Sequence, residues 1–187
     1  MTKFVWIDLE TTGLDENHCQ IIEVASIITD GSLNVLGTYE TLVQPEVLTF
    51  EPGVIGMHKR SGLFDRISRG AGKNIKTAEQ ELMAFITQHE PHKRRAYFAG
   101  NSVHFDERFL RRYMPSITPH MCSRHLDVSA VGLAMRARFG KDTAEFKASR
   151  PHRAMEDLER ALEELRFYMT EFVRFPEELS EPARSAE

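Results

Sequence analysis

The first strand-like segment of the chain carries two acidic residues inside an apolar run. The segment FVWIDLETTGL, residues 4–14, places Asp8 and Glu10 two positions apart, so a β-strand would project both carboxylates to one face. Two carboxylates held close together repel each other, and burying them without partners costs several kcal/mol. A divalent cation between them would offset this cost. The segment therefore predicts a buried strand that contributes to a metal site.

Composition narrows the class of protein. The chain has 187 residues, 41% of them hydrophobic, which suits one globular domain. Its formal net charge of -4 is unlike that of a basic nucleic-acid-binding protein, although bound metal ions would make an acidic site attractive to phosphate. Cys19 and Cys122 lie in no zinc-ligand spacing, which favours a reduced, cytoplasmic protein. We expect neither a signal peptide nor a membrane span, because the sequence has no leader-like segment and no apolar run of membrane length.

Strands and helices alternate along most of the sequence, which predicts an α/β protein with a mixed sheet. Apolar or alternating segments predict five strands, at residues 3–9, 20–31, 33–45, 95–101 and 124–130, the last running into a helix. Asp30-Gly31 between the second and third strands is typical of a hairpin turn, so these two strands should be antiparallel.

Helical periodicity and capping signals define the remaining elements. A capping box at Thr77–Gln80 predicts the start of one helix, and further helices are expected at residues 102–114, 129–139 and 150–175. Residues 45–76 contain several glycines and are expected to be mostly loop, with one short helix near Leu63–Ile67. We predict a single domain over residues 1–175 and a polar, disordered tail over residues 176–187.

Two later acids and one histidine complete a possible metal site. Asp106 follows a short strand at the start of a helix, and functional groups of α/β proteins lie at the carboxyl ends of strands. Asp157 lies on the last helix, and His152 precedes it near the helix entry. Four carboxylates and a histidine suit phosphoryl transfer with two metal ions, in which the histidine accepts a proton from the attacking water. Oxygen ligands favour Mg²⁺ or Mn²⁺ over zinc.

Three motifs resemble, in order and spacing, those of the DEDDh 3′→5′ exonucleases: DLETTGL at residues 8–14, GNSVHFD at 100–106 and HRAMED at 152–157. Within these enzymes the chain resembles the oligoribonuclease family nearly end to end. The resemblance implies a ribonuclease-H-like three-layer fold with a central five-stranded mixed sheet flanked by helices. It also implies hydrolysis of short single-stranded RNA to nucleoside 5′-monophosphates, two bound Mg²⁺ or Mn²⁺ ions, and a homodimer.

The same resemblance implies roles for individual residues. Asp8, Glu10, Asp106 and Asp157 would be the metal ligands, and His152 the general base. The implied substrate-binding residues are Leu14 as a wedge against a terminal base, His58 before the SGL segment, and Ser102, Arg124 and Ser129 around the 5′ phosphate. Arg124 offers a fixed fork of donors for phosphate oxygens, to which the two hydroxyls add neutral hydrogen bonds.

The sequence departs from the oligoribonuclease pattern at three places. Ser123 stands where the family has a tyrosine, Pro52-Gly53 lie where it has a tryptophan, and ETTG replaces EMTG, as in ribonuclease T and proofreading exonucleases. The missing aromatic side chains would each contribute about 1–3 kcal/mol of base stacking. The alternative is therefore a broader exonuclease that acts on longer RNA or single-stranded DNA. A catalytically silent binding module is disfavoured, because all five catalytic positions are present.

Some assignments stay open at the level of sequence. Leu14 could be a core leucine, and Arg124 could pair with Asp127 instead of phosphate. Glu156 competes with Asp157 as a ligand, although only Asp157 matches the motif. His58 is supported by the family match alone, in a segment expected to be a loop.

Overall fold

A five-stranded mixed sheet forms the centre of the protein. The computed structural model describes residues 2–139 and 152–171. The strands are β1 Lys3–Thr11, β2 Ile21–Asp30, β3 Val35–Leu42, β4 Ala96–Gly100 and β5 His125–Asp127. They are arranged in the order β3-β2-β1-β4-β5. The first three strands are antiparallel neighbours, whereas β4 is parallel to both β1 and β5. The central position predicted for the first strand is confirmed. The antiparallel pairing predicted for the second and third strands is also confirmed.

Helices cover both faces of the sheet in three layers. Within the described residues they are α1 Pro52–Arg60, α2 Leu63–Ser68, α3 Ile75–His89, α4 Val103–Tyr113, α5 Val128–Phe139 and α6 Ala154–Glu171. Side chains of β1 alternate between two cores, because successive residues of a strand point to opposite faces. Val5, Ile7 and Leu9 pack in the core that contains residues of α3 and α4. Trp6 packs in the core that contains residues of α5 and α6. The predicted three-layer α/β fold is confirmed.

Two predictions about helices were wrong. Residues 45–76 contain α1 as well as the expected short helix, because Pro52 suits the first helical position, where its missing N–H is not needed. The capping box at Thr77 does not start α3. That helix begins two residues earlier, and Asn74 accepts a hydrogen bond from the Lys76 N–H at 2.8 Å.

The last helix is confirmed over residues 154–171, but it begins at Ala154, and residues 152 and 153, which were predicted to be helical, are not. Its apolar side chains are buried in one core, namely Ala154, Leu158, Ala161, Leu162 and Leu165. The predicted helical residues 172–175 and the predicted tail, residues 176–187, lie outside the described residues. Of the helices in the described ranges, each is too short or too polar to span a bilayer.

Candidate active site

The carboxyl-terminal half of β1 directs its two acids toward the layer that contains α6. Asp8 and Glu10 have the same parity as Trp6, whose side chain packs with residues of α6. Glu10 is buried and Asp8 is half-buried. The strand therefore keeps its apolar residues in two cores and presents the two acids at the end of one of them.

The start of α6 brings a third acid and a histidine to Glu10. Potential ligand atoms of Glu10, His152 and Asp157 all lie within 4.8 Å of one another. Asp157 is in the first turn of α6, and His152 lies two residues before the helix with φ of 55°, a left-handed conformation. Glu156 is exposed and is not part of this group. The structure thus brings together three of the five residues predicted to be catalytic.

Asp106 reaches the same strand from the other layer. It lies in the first turn of α4, is 3% exposed, and its Oδ1 accepts a hydrogen bond from the Leu9 N–H at 2.9 Å. Pairing between β1 and β4 ends at Trp6, so this N–H lies beyond the ladder and Asp106 satisfies it. The contact places Asp106 beside the segment that carries Asp8 and Glu10.

Burial and mutual repulsion make the acids difficult to ionise. Burial, together with the negative charges of Asp157, Glu23 and Asp106, raises the pKa of Glu10 to about 8, while Arg153 opposes the shift. Burial likewise raises the pKa of Asp106 to about 8, although the Leu9 N–H favours its charged form. Clustered carboxylates that resist ionisation are the donor set that a hard divalent cation stabilises. The residues present therefore fit a divalent metal ion.

His58 is not in a loop but on α1, and its side chain is fully buried. Its Nε2 lies 2.8 Å from the Thr11 carbonyl oxygen, and since a carbonyl only accepts, Nε2 carries the proton. The unprotonated Nδ1 then faces the Glu10 Oε2 at 3.7 Å. Burial lowers the pKa of His58, which favours this neutral ring. The His58 ring thus lies next to the Glu10 carboxylate, and its contact with substrate stays a prediction.

Leu14 lies on the loop that follows β1 and is 64% exposed. The core position considered for it is therefore wrong. Glu51 holds this loop: its carboxylate accepts hydrogen bonds from the Leu14 N–H at 3.1 Å and from the Cys19 Sγ–H at 3.3 Å. A Cβ on Gly13 would lie 2.4 Å from the Cys19 sulfur, so the loop requires glycine at that position.

Asp127 forms hydrogen bonds with the backbone of both serines predicted to bind phosphate. Its carboxylate accepts hydrogen bonds from the N–H groups of Ser102 at 3.1 Å and Ser129 at 2.9 Å. The hydroxyl of Ser129 lies 3.5 Å from that of Ser102. Arg124 is exposed and forms no ion pair with any residue of the described ranges, so the alternative pairing with Asp127 is not adopted.

Two residues next to the site were missed in the sequence. Glu23 is fully buried on β2 directly opposite Glu10, and Arg153 binds its carboxylate through Nε and a terminal nitrogen at 3.0 and 2.7 Å. A single acid within the apolar run IIEVASII was the available signal for Glu23. No local pattern connects it with Arg153, which is 130 residues away in the chain.

The five-stranded mixed sheet with helices on both faces is a ribonuclease-H-like fold, as predicted. Exonuclease I of E. coli in its metal-free complex with single-stranded DNA matches 92% of this chain with a TM-score of 0.70 at 19% identity. The zinc-bound form of that complex matches with a TM-score of 0.72 at 18% identity. This chain spans about two fifths of the length of those structures, 40% and 41%, and the likeness concerns the fold.

The family is shown by sequence. The family model described as Exonuclease, RNase_T, matches residues 5–165. Oligoribonuclease of Francisella tularensis subsp. holarctica is 36% identical over 175 residues, which cover 91% of this chain and 96% of the relative. Oligoribonuclease of Pectobacterium atrosepticum is 36% identical over 176 residues, which cover 92% of this chain and 97% of the relative. The chain therefore belongs to the RNase_T exonuclease family and is a 3′→5′ exonuclease.

Proposed function

We propose that this exonuclease degrades short single-stranded RNA to nucleoside 5′-monophosphates and depends on two Mg²⁺ or Mn²⁺ ions. The convergence of Glu10, His152 and Asp157 within 4.8 Å carries the proposal, because it joins acidic oxygens to a possible proton acceptor. Asp8 and Asp106 complete the ligand set in this proposal. The names of the two curated relatives support RNA as the substrate.

In this proposal the protein contributes positioning and proton transfer. Bound divalent cations would stabilise negative charge on the attacking and leaving oxygens of the phosphodiester. His152 accepts the proton of the attacking water, a role that suits an imidazole near neutral pH. Because the pKa values of Glu10 and Asp106 are raised to about 8, a bound cation would favour their ionised forms at neutral pH.

The residues predicted to bind the 5′ phosphate would limit the length of the substrate. Ser102 and Ser129 present neighbouring hydroxyls, and the exposed guanidinium of Arg124 would provide the charge that binds a 5′ phosphate. Leu14, exposed on its loop, would contact the terminal base. A substrate held at both ends in this way is a very short RNA.

A second candidate is a broader exonuclease that acts on longer RNA or single-stranded DNA. Ser123 and Gly53 are both exposed, and no atom lies within 4 Å of a Cβ added to Gly53. The two positions where an aromatic residue was expected therefore leave open space for a longer chain. In either case we propose a cytoplasmic homodimer. The cysteine usage favours the cytoplasm, and the resemblance to the oligoribonuclease family implies the dimer.

A length series tests substrate class directly. Purified protein with Mg²⁺ or Mn²⁺ is given 5′-labelled RNAs of two, three, five, seven and about fifteen nucleotides, together with single-stranded DNA of the same lengths. We expect the RNA dinucleotide to be cleaved fastest, because both of its ends are bound. Rates that are flat or rise with length would support the broader exonuclease. No cleavage of any substrate with either metal would contradict both candidates.

One matched pair of variants and one variant compared on two substrates test the residues. Asp157→Asn should lower kcat by about 100-fold or more, whereas Glu156→Gln, a change at the exposed neighbouring acid, should leave kcat within about twofold.

Arg124→Gln should slow cleavage of a 5′-phosphorylated dinucleotide by about 10- to 100-fold, the value of one or two charge-assisted hydrogen bonds. The same variant should act on a 5′-hydroxyl dinucleotide at nearly the wild-type rate. Equal losses on the two dinucleotides would contradict the phosphate role.

A further inference from the structure

Glu23 is a buried acid beside the candidate site to which the proposed function assigns no role. It is fully buried, and its Cα is the cross-strand partner of that of Glu10. A buried carboxylate needs partners, and each oxygen of Glu23 has them. Arg153 donates from Nε and from a terminal nitrogen, and the Ala154 N–H donates to Oε2 at 3.0 Å. These contacts form the Glu23 clamp, which consists of Glu23, Arg153 and the N–H of Ala154.

The clamp holds the entrance of α6. Ala154 is the first residue of the helix, and an N–H at that position has no partner within the helix. Glu23 supplies the missing acceptor from a neighbouring strand. The carbonyl oxygen of Arg153 accepts the Asp157 N–H at 3.0 Å, so the first helical turn, including Asp157, begins at a residue fixed by the clamp.

His152 depends on this fixed backbone for its direction. Its φ of 55° is unfavourable for a residue with a side chain, and such conformations persist only where the surroundings enforce them. Among the described residues no hydrogen bond to the His152 ring is found, and we attribute the direction of the ring to the backbone that carries it. The next residue along the chain, Arg153, is held by a fully buried carboxylate.

We propose that Glu23 is a positioning residue for the exonuclease reaction: through Arg153 and the N–H of Ala154 it fixes the backbone that aims His152 and Asp157 at Glu10. This inference rests on the proposed roles of His152 and Asp157. Arg153 also contacts Glu40 at 3.1 Å, but the Glu40 side chain is 40% exposed, and ion pairs of that kind contribute little. The clamp therefore depends on Glu23 and not on Glu40.

The kinetic test compares two glutamates that contact the same arginine. Glu23→Gln keeps the shape of the side chain but removes the charge and half of the acceptors, and it should lower kcat on the RNA dinucleotide by about 10- to 100-fold with KM within about twofold. Glu40→Gln should leave both constants within about twofold. Equal effects of the two substitutions would overturn the proposal.

A second control separates positioning from general stability. Leu165→Ala removes a buried side chain on α6, far along the helix from His152, and should destabilise the protein while kcat stays within about twofold at a temperature where the protein is folded. Loss of kcat in Leu165→Ala as large as that in Glu23→Gln would overturn the proposal, since any weakening of α6 would then suffice.

Amide hydrogen exchange tests the clamp without using activity. In Glu23→Gln the Ala154 and Asp157 amides should exchange at least about tenfold faster than in the wild type, while amides at residues 161–165 stay protected. Unchanged exchange at Ala154 would overturn the clamp even if the enzyme cleaves RNA. If the wild type cleaved no nucleic acid, the proposed function and the positioning role of Glu23 in the reaction would both fail, whereas faster exchange at Ala154 in Glu23→Gln would still establish the anchoring.

Discussion

Gly100 ends β4 beside the part of β1 that leads into the acids. Its φ is 150°, which residues with a side chain rarely adopt, and an added Cβ would lie 2.9 Å from the Ile7 carbonyl oxygen. We predict that Gly100→Ala lowers the free energy of unfolding by about 1–3 kcal/mol, because the residue would be strained and the β1 backbone would have to move. Urea denaturation measures this change. A loss of activity should accompany it, since Ile7 precedes Asp8.

The matched control for Gly100 is Gly53 on α1. No atom lies within 4 Å of a Cβ added to Gly53, and the residue is helical. Gly53→Ala should therefore stabilise the protein by about 0.4–1 kcal/mol, chiefly by restricting the unfolded chain. Similar free energies of unfolding for the two variants would show that close contact with β1 is not what requires glycine at Gly100.

At the scale of single elements, the start of α3 separates a real cap from an apparent one. Asn74 accepts the Lys76 N–H and caps the helix, whereas Thr77 lies exposed within its first turns. Asn74→Ala should cost about 1 kcal/mol of unfolding free energy, the usual value of an N-cap. Thr77→Ala should change stability by at most about 0.5 kcal/mol, because alanine is the better helix former. A larger loss of stability in Thr77→Ala would support Thr77 as the cap of this helix, as the sequence predicted.

The elements that sequence predicts well are those whose pattern is local. Strand β1 was identifiable because Asp8 and Glu10 interrupt an otherwise apolar run, and the parity of strand residues places them on one face. Helix α1 was missed because Gly53 and Gly56 lower helix propensity, while packing of His58 under β1 compensates for it.

The rest of the candidate site depends on contacts that no local pattern records. The carboxylate of Glu51 fixes a loop 37 residues earlier in the chain, and that of Glu23 binds a guanidinium 130 residues later. Each of these acids looks like an ordinary residue of its own segment. Only the packing of α1 and α6 against the sheet gives it a partner, so sequence alone identified the acids of the motifs but not the residues that orient them.

Across the whole molecule, stability should depend on pH in a direction set by the buried acids. Glu10 and Asp106 have ordinary pKa values of 4.5 and 3.8 when exposed, and about 8 each in the folded, metal-free protein. Between about pH 4 and 8 the native state therefore binds more protons than the unfolded state, and the free energy of unfolding falls as the pH rises. One pKa unit corresponds to about 1.4 kcal/mol, so the rise in the pKa of Glu10 alone, from 4.5 to about 8, corresponds to a fall of up to about 5 kcal/mol.

Divalent cations should reverse this trend, because they stabilise the ionised carboxylates and bind only the native arrangement. Thermal unfolding of metal-free protein and of protein with saturating Mg²⁺ or Mn²⁺ should give a metal-induced rise in Tm that is larger at pH 8 than at pH 5.5. Burial lowers the pKa of His58, which contributes an opposite slope near pH 6.5, so wild type is compared with Glu10→Gln. The variant should lose part of the fall in Tm with pH. A metal-free wild type and variant with parallel profiles would mean that Glu10 ionises freely, and the cluster would then have no electrostatic need for a cation.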